Sequence, residues 1–271
     1  YKKPLMLWVQ DIWPDSVYAY GFKQTKILSS FLNTLVKFVY QNITAIAISG
    51  KGFELKLKEY VKDDLKFHYL PNWADDLNMD IEAVEFSKDD RVQFTFAGNI
   101  GKVQNLENII KAFCLISDKS NKKAQLNIIG DGSNLKYLKE LTDKNQHVIF
   151  HGKKRRDNMS KFYKGSDFLI VSLIDEPIFS VTVPAKTQTY IAAKKPILAI
   201  IDGETADIVR DNNLGLCANP ANIDLIVDAF EQCIDMSQEV KNNFVENSDR
   251  LLQTTFNKDL IISRITKILV G

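Results

Sequence analysis

The sequence predicts an α/β fold with parallel sheets in two domains. Short apolar runs alternate with amphipathic helical stretches, most of these runs are apolar on both faces, and many end in glycine or in a polar residue. This alternation is typical of βαβ units, whose strands are buried on both faces and end at one edge of the sheet. The 271 residues are enough for two medium-sized domains.

The first domain begins with a strand and then alternates regularly. The predicted strands are residues 4–10, 43–49 and 65–70, and the predicted helices are residues 23–40 and 50–60. Asp11 directly follows the first strand, where polar groups face the crevice of an α/β domain. It is either a ligand of a sugar hydroxyl or a turn residue before Trp13 and Pro14, and the sequence leaves both interpretations open.

The helix at residues 23–40 is richer in Phe and Leu than docking on a sheet requires. Lys23, Lys26 and Lys37 lie near its ends, and polar residues interrupt its apolar run, so it is too short and too polar to span a bilayer. Packing against the sheet is the simpler interpretation. The alternative is that the helix lies on a membrane surface.

The second domain follows a boundary within residues 71–91, which carry many acidic residues and little apolar periodicity. Its predicted strands are residues 92–97, 125–129, 147–151, 167–173, 197–201 and 215–218. Its predicted helices are residues 106–116, 135–141 and 158–165, one opening near Pro184, one opening at Glu204, and residues 225–234, 240–252 and 259–269.

The most informative stretch is residues 179–200. It reads as a polar loop, a short helix that opens near Pro184, and a strand. Such a helix directs the free N–H groups of its first turn into the crevice at the carboxyl edge of the sheet, where anions bind. Thr182 is a candidate cap and Lys186 adds a cation, so a diphosphate here would meet amides, helix dipole and ammonium together. The plain alternative is an ordinary helix start.

Glycine turns follow three other strands, at residues 98–101, at residues 130–132 and at Gly152. Glycine at a strand's carboxyl end allows the backbone to approach a ligand closely, so these turns and the loop at 179–186 together favour a nucleotide site. Residues 153–164 carry six basic side chains against Asp157. This basic segment is a solvated helix face, a nucleotide-facing loop or a contact with anionic lipid.

Charge and cysteine content argue against several classes of protein. Lys and Arg total 35 against 34 Asp and Glu, which gives no electrostatic case for a nucleic-acid partner. Cys114, Cys217 and Cys233 form no CxxC or CxxH pattern, which predicts reduced structural thiols in the cytosol and no zinc site. We expect a cytoplasmic protein, at the inner face of the membrane if residues 23–40 contact lipid. No D-x-D triplet follows an apolar strand, and we predict neither a metal nor a cofactor.

Six segments, taken in order, resemble one family. They are VQDIWPDS, LPNWADD, FAGNIGKVQNLENIIKAF, IIGDGSNLKYLKEL, PAKTQTYIAAKKPILA and DGETADIV. Over essentially its whole length the chain resembles the retaining glycosyltransferases of the GT-B fold, family 4 type. The branch it resembles builds bacterial capsule and O-antigen polysaccharides and includes fucosamine-transferase-like members. The GT-B fold has two Rossmann-like domains, and further βα units normally precede the first strand seen here. The resemblance therefore implies an incomplete N-terminal domain.

The resemblance also implies a division of the chain and a reaction. Residues 1–75 are expected to be the remainder of the acceptor-side domain, 76–91 a linker, 92–254 the nucleotide-sugar-binding domain, and 255–271 a helix crossing back to the first domain. The implied reaction transfers a sugar from a nucleotide diphosphate sugar, usually UDP-linked, to a glycan or lipid-linked acceptor. It proceeds with retention and without an essential metal.

Site residues follow by matching positions to the family pattern. The loop at 98–101 lies beside the donor diphosphate, the turns at 130–132 and 152–155 are walls around the base, and residues 180–186 hold the diphosphate and the sugar. The donor-binding candidates are Gly98, Asn99, Gly101, Gly130, Asp131, Gly132, Arg155, Ser180, Thr182, Val183 and Thr189. The catalytic candidates are Lys186, Lys102 and Asp11.

Five positions depart from that pattern, and one of them is Gln10, which stands where many members carry His before Asp11. Asn99 and Gln104 stand where many members carry Arg and Lys, and Val181 and Thr189 stand where the two glutamates of the Glu-x7-Glu motif fall. The carboxylate that would recognise ribose is therefore missing. We expect Lys186 and Lys102 to bear the charge of the departing diphosphate, because that charge needs compensation as the bond to the sugar breaks.

Two other functions share these features. A GT-B-fold sugar-nucleotide epimerase has the same two domains, and product analysis without an acceptor distinguishes it. A non-catalytic nucleotide-sugar-binding module is the second, and the missing acidic pair motivates it. Nucleotide binding without transfer is the result that would favour it.

Overall fold

The fold is seen in a computed structural model that describes residues 4–19, 21–74, 76–87, 89–119, 124–142 and 145–270. Residues 1–3, 75 and 271, at the ends of the predicted divisions, lie outside the described residues. A three-stranded sheet is followed in the chain by a six-stranded sheet, and every strand pair in both is parallel. This confirms the predicted α/β class.

The first sheet has the strand order β1-β2-β3. Its elements are β1 (Met6–Val9), α1 (Asp15–Ala19), α2 (Lys26–Gln41), β2 (Ala45–Ile48), α3 (Phe53–Leu57) and β3 (Phe67–Tyr69). Thr25 caps α2 by accepting a hydrogen bond from Leu28 N. Leu32, Val36 and Tyr40 are buried at a spacing of four residues, as expected of a helix packed along one face.

The second sheet has the order β6-β5-β4-β7-β8-β9, that of a doubly wound Rossmann fold. Its strands are β4 (Val92–Ala97), β5 (Ala124–Ile129), β6 (Val148–Gly152), β7 (Phe168–Ser172), β8 (Ile197–Ile200) and β9 (Gly215–Ala218). Its helices are α4 (Leu106–Lys119), α5 (Leu135–Leu141), α6 (Met159–Gly165), α7 (Ala185–Ala192), α8 (Glu204–Asp211), α9 (Ile223–Ile234), α10 (Gln238–Gln253) and α11 (Lys258–Val270).

Aromatic side chains fill the core on one side of the second sheet. Phe94 of β4 stacks on Phe168 of β7 with ring centroids 5.3 Å apart, and Phe230 of α9 meets Phe94 edge-on at 4.8 Å. All three rings are fully buried, and each such side chain contributes roughly 1.5–3 kcal/mol through its removal from water. This packing fills the core beneath the centre of the sheet, and the site described below lies at the sheet's carboxyl edge.

The segment between the two sheets, residues 70–91, contains neither helix nor strand among its described residues. The start of α11 packs beside it: Ala74 N donates to Phe256 O at 3.2 Å, and Lys258 Nζ pairs with the Asp76 carboxylate at 3.0 Å. The placement of the domain boundary at residues 76–91 stays a prediction. Within the described residues, every helix is too short or too polar to cross a bilayer.

Candidate functional site

β4 and β7 are neighbours at the centre of the six-stranded sheet, and the chain leaves them in opposite directions. After β4 it continues to β5 on one side, and after β7 it continues to β8 on the other. Such a reversal opens a crevice beyond the carboxyl ends of the two strands, and ligands bind there. Ala97 and Ser172 end these strands, so the loops that follow them leave the sheet at its carboxyl edge.

The two glycine turns pack against each other at this edge. Gly98 N donates to Ile129 O at 2.9 Å. A methyl group built on Gly130 would overlap the carbonyl oxygen of Gly98, and one on Gly132 would overlap that of Ile100. Gly130 also has a φ of +145°, which residues with a side chain avoid. The glycines therefore let the two turns touch and leave their backbone open to a ligand.

A cavity of about 660 Å³ lies between these turns and the basic segment that follows β6. Five of the predicted donor-binding residues line it, together with three cationic residues, and Asp131 is the one acidic residue in this lining. The lining residues are Ala97, Gly98, Asn99, Ile129, Gly130, Asp131, Gly132, Lys153, Lys154, Arg156, Met159 and Tyr163. A concave site of this volume with a cationic wall suits a small anionic ligand.

Lys186 brings a buried ammonium group to the same corner. Its Nζ lies 3.8 Å from the centroid of the Phe96 ring and 3.0 Å from the point where a side chain on Gly98 would begin. This Nζ is buried and has no hydrogen-bond partner among the described residues. Burial lowers the pKa of Lys186 from its ordinary value to about 7. The ammonium thus lies against the face of an aromatic ring, an arrangement that attracts a cation.

Tyr190, one helical turn after Lys186, fixes this geometry. Its hydroxyl accepts a hydrogen bond from Ala97 N at 3.2 Å and donates one to Ala97 O at 3.3 Å, and the side chain is fully buried. Residues four apart share a helix face, so Lys186 and Tyr190 both meet the end of β4. The start of α7 and the glycine corner after Ala97 are therefore in contact. The sequence interpretation missed Tyr190, because a buried tyrosine in a helix carries no local signal of its partner.

Thr182 does not cap α7, contrary to expectation. Its hydroxyl donates to Ile178 O at 2.8 Å, and Pro184 occupies the cap position without a side-chain hydrogen bond. The physical reason is the single 3₁₀ turn at Phe179–Val181, which brings a carbonyl within reach of the short Thr182 side chain. No described side chain therefore caps the first turn of α7.

The other predicted residues of this segment point to neighbours in their own segment. Ser180 Oγ donates to Pro177 O at 2.9 Å, and Thr189 Oγ1 donates to Ala185 O at 3.2 Å. Val183 is buried. None of the three lines the cavity of about 660 Å³, although Ser180 borders a second cavity of about 430 Å³ between the two sheets.

The remaining charged candidates lie outside the wall of the main cavity. Arg155 is exposed and pairs with Asp157 at 2.9 Å, whereas its neighbour Arg156 lines the cavity. Lys102 is exposed after the first glycine turn. Asp11 follows β1 in the first sheet, and shielding from water raises the pKa of its carboxyl.

The side chains of Asn99 and Gln104 form a hydrogen bond with each other. Asn99 Nδ2 donates to Gln104 Oε1 at 3.3 Å, and Gly101 N donates to the same oxygen at 3.0 Å. A neutral pair thus closes the loop where the family pattern has two cations. Positive charge at the cavity wall comes instead from the basic segment after β6, and Lys186 Nζ lies buried beside Gly98, one of the lining residues.

The loop after β2 in the first sheet contacts loops that follow β7 and β8 in the second. Lys51 N and Gly52 N donate to the Glu204 carboxylate at 2.7 and 3.0 Å, across the gap between the sheets. Two parallel α/β sheets that meet at the loops after their strands, with a ligand crevice at the switch point of the second, define a protein of the GT-B class. The chain belongs to the family Glycosyl transferases group 1, whose model matches residues 78–250.

Similar proteins agree with this membership. Over 223 residues, the chain is 29% identical to the probable glycosyltransferase WbjE of Pseudomonas aeruginosa, and the match covers 78% of this chain and 54% of that protein. The chain spans about half the length of the curated relatives it matches.

Solved structures show the same fold. HepE of Anabaena, in complex with UDP and glucose, superposes with a TM-score of 0.73 at 14% identity, over 99% of this chain and 72% of that one. WaaG, a glycosyltransferase involved in lipopolysaccharide biosynthesis, superposes with a TM-score of 0.73 at 13% identity, over 100% of this chain and 76% of that one. At these identities the likeness establishes the GT-B fold.

Proposed function

We propose that the protein transfers a sugar from a nucleotide diphosphate sugar to a glycan or lipid-linked acceptor. The observation that carries the proposal is the Lys186 ammonium, buried at the switch point of the second sheet with no hydrogen-bond partner among the described residues. A buried cation without a counter-charge is costly, and a bound anion removes that cost. In this proposal the anion is the diphosphate of the donor substrate used by the family, and it lies between α7 and the turn after β4.

The chemical role of this corner is to stabilise the leaving group. As the bond to the sugar breaks, negative charge builds up on the diphosphate, and charge compensation that is already in place lowers the barrier. Lys186 Nζ and the first-turn N–H groups of α7, which no described side chain caps, provide it. Lys102, exposed beside the same turn, is the second cation in this proposal.

Transfer proceeds with retention and without a metal in this proposal. Lys186 takes the place that a divalent cation holds in metal-dependent transfer. Val181 and Thr189, at the two places of the family's glutamates, offer no carboxylate to attack the sugar. Same-face attack by the acceptor therefore fits these residues better than a covalent intermediate on this loop.

The donor nucleotide is UDP in this proposal. HepE was solved with UDP, which supports the assignment by similarity of fold. In this scheme, Gly130, Asp131 and Gly132 border the base and Arg156 takes the place predicted for Arg155. A thermal-shift panel of UDP, GDP, ADP and CMP tests the proposal, and we expect the largest rise in melting temperature with UDP. Equal responses to all four nucleotides would contradict a UDP donor, and no response to any would contradict the donor site.

The acceptor is a lipid-linked saccharide of bacterial surface polysaccharide synthesis, and the protein works at the inner face of the membrane. The support is the outer face of α2, where Ile27, Phe31, Leu35 and Phe38 are exposed on the side opposite the buried face. Their exposed fractions are 86, 64, 46 and 65%. The charged side chains of α2 are two lysines and no acid, which suits an anionic membrane surface.

A further inference from the structure

Glu204, at the start of α8, joins the two sheets through the backbone. Its Oε1 accepts from Lys51 N at 2.7 Å and its Oε2 accepts from Gly52 N at 3.0 Å, and these residues lie more than 150 positions away in the sequence. A carboxylate has two oxygens that can each accept such a bond, and bonds to a charged acceptor are stronger than neutral ones. One side chain therefore holds two consecutive N–H groups of the other sheet's domain.

Val181 lies so close to residues 50 and 52 of that loop that both positions need glycine. A methyl group on Gly50 would lie 2.6 Å from the Val181 carbonyl oxygen, and one on Gly52 would lie 2.5 Å from Val181 Cγ1. Both distances are too short for any side chain to fit. The loop at residues 50–52 is thus shaped to meet the turn that leads into α7.

The start of α8 also holds this turn from the other side. Thr205 Oγ1 donates to Thr182 O at 3.1 Å, and Gly203 lies so close to the Ser180 carbonyl that any side chain there would overlap it. Consecutive residues 203–205 therefore fix both the loop before Lys186 and the first sheet's glycine loop.

We propose that Glu204 is a positioning residue that sets how the first domain, which holds the acceptor, meets the loop that holds the donor. This inference rests on the proposed function only where it predicts that loss of Glu204 lowers kcat. Glu204 acts through the two amides and not on the substrate. Its loss lowers kcat, because the acceptor is no longer aligned with the donor sugar. Its loss leaves UDP affinity unchanged, because the residues around the main cavity are different ones.

Glu204→Gln is the sharpest variant, since it preserves size but turns one acceptor oxygen into an NH₂ donor that faces an N–H. Asp207→Asn is its matched control: Asp207 lies on the same first turns of α8, is exposed, and pairs with Arg210 of its own helix at 2.9 Å. Hydrogen exchange of the amides of residues 51 and 52 is the primary readout. We expect exchange about tenfold faster or more in Glu204→Gln, in keeping with the loss of a hydrogen bond to a charged group, and no change in Asp207→Asn.

A second variant uses the steric fit. Gly52→Ala should speed exchange at residue 51 in the same way. The double variant Gly52→Ala/Val181→Gly should restore it, because it removes Val181 Cγ1 and Cβ, which would lie 2.5 and 2.8 Å from the added methyl group. Unchanged exchange in Glu204→Gln, an equal rise in Asp207→Asn, or no restoration in the double variant would each overturn the proposal. A normal kcat with fast exchange, or a loss of UDP affinity equal to the loss of kcat, would overturn the positioning role. Failure of the wild-type protein to bind UDP would instead count against the proposed function alone.

Discussion

The Nζ atom of Lys186 lies 3.8 Å above the ring of Phe96 and has no hydrogen-bond partner among the described residues. Phe96 belongs to the central strand of the second sheet and Lys186 to the first turn of α7, so the contact joins the two elements at the switch point. A ring face attracts a cation, but far less strongly than a diphosphate in direct contact would. The proposed function assigns a donor diphosphate as the partner of this ammonium group.

Lys186→Ala is expected to lower the rate of sugar transfer by about two orders of magnitude or more. Removing one preorganised donor of this kind costs roughly 2.7–4 kcal/mol of transition-state stabilisation. Lys195→Ala is the matched control, because Lys195 is a half-buried lysine whose pKa burial also lowers, but it donates to Lys164 O near the amino ends of the strands. Steady-state kinetics with the donor and an acceptor extract measure both. An unchanged rate in Lys186→Ala, or an equal loss in Lys195→Ala, would remove Lys186 from the mechanism.

The affinity for UDP is expected to fall as the pH rises from about 7 to about 9. Burial lowers the pKa of Lys186 to about 7, so above that pH the free protein holds a neutral amine. A bound diphosphate favours the ammonium, and binding must then take up a proton, at a loss of up to about tenfold in affinity per pH unit. Calorimetry of wild type and Lys186→Met measures the slope. Lys186→Met should bind UDP weakly, with an affinity that does not change with pH. Equal slopes of affinity against pH in wild type and variant would contradict the assignment of Lys186 as the group that takes up the proton.

The lowered pKa of Lys186 also makes the stability of the unliganded protein depend on pH. The unfolded chain keeps the ordinary lysine pKa of 10.5, so between about pH 7 and that value it binds the proton that the folded chain has lost. The contribution of Lys186 to the free energy of unfolding therefore rises with pH across this window. Urea denaturation of wild type and Lys186→Met at pH 7 and pH 9 measures it. Wild type should gain more stability than the variant.

Gly130→Ala is expected to lower the free energy of unfolding by roughly 2–5 kcal/mol, through steric overlap and backbone strain together. The overlap is with the carbonyl of Gly98, so UDP affinity should fall as well. Gly152→Ala is the matched control, because Gly152 has a φ of +66° but open space around the added methyl group. Strain alone costs about 1–2 kcal/mol there. Equal losses in the two variants would show that the turns do not depend on close contact.

Phe31→Ser is expected to weaken flotation of the protein with anionic vesicles, because Phe31 lies in the middle of the exposed face of α2. Leu55→Ser is the matched control, since Leu55 is 79% exposed and belongs to another helix, α3. Loss of one buried aromatic side chain from the interface should cost about tenfold in partitioning or more. Absence of wild-type binding to anionic vesicles would rule out the membrane role of α2.

Most of the fold was predictable because buried parallel strands are continuous apolar runs. The predicted bounds of β4 and α5 agree with the structure at both ends. The helix α1 was missed because its five residues, DSVYA, show no helical period of apolar residues. The helix predicted at residues 50–60 is shorter in the structure, Phe53–Leu57. It begins later than predicted because Gly50 and Gly52 pack against Val181 of the other domain.

The site was partly predictable for a related reason. Glycines at strand ends and a lysine in a helix's first turn each have a local mechanism, and the structure brings Gly98 and Lys186 together. Arg155 and Arg156 could not be told apart, because an irregular segment has no period that says which side chain faces the cavity. The contacts of Tyr190 and Glu204 could not be predicted from the sequence, because their hydrogen-bond partners lie at least 93 positions away.

A crystal structure of the protein with UDP tests whether Lys186 binds the donor diphosphate. We expect the diphosphate to lie between the turn after β4 and the first turn of α7, with Lys186 Nζ within hydrogen-bond distance of a phosphate oxygen, about 2.7–3.2 Å. Lys186 Nζ still lying over the Phe96 ring without an anion, while UDP occupies another part of the molecule, would contradict it.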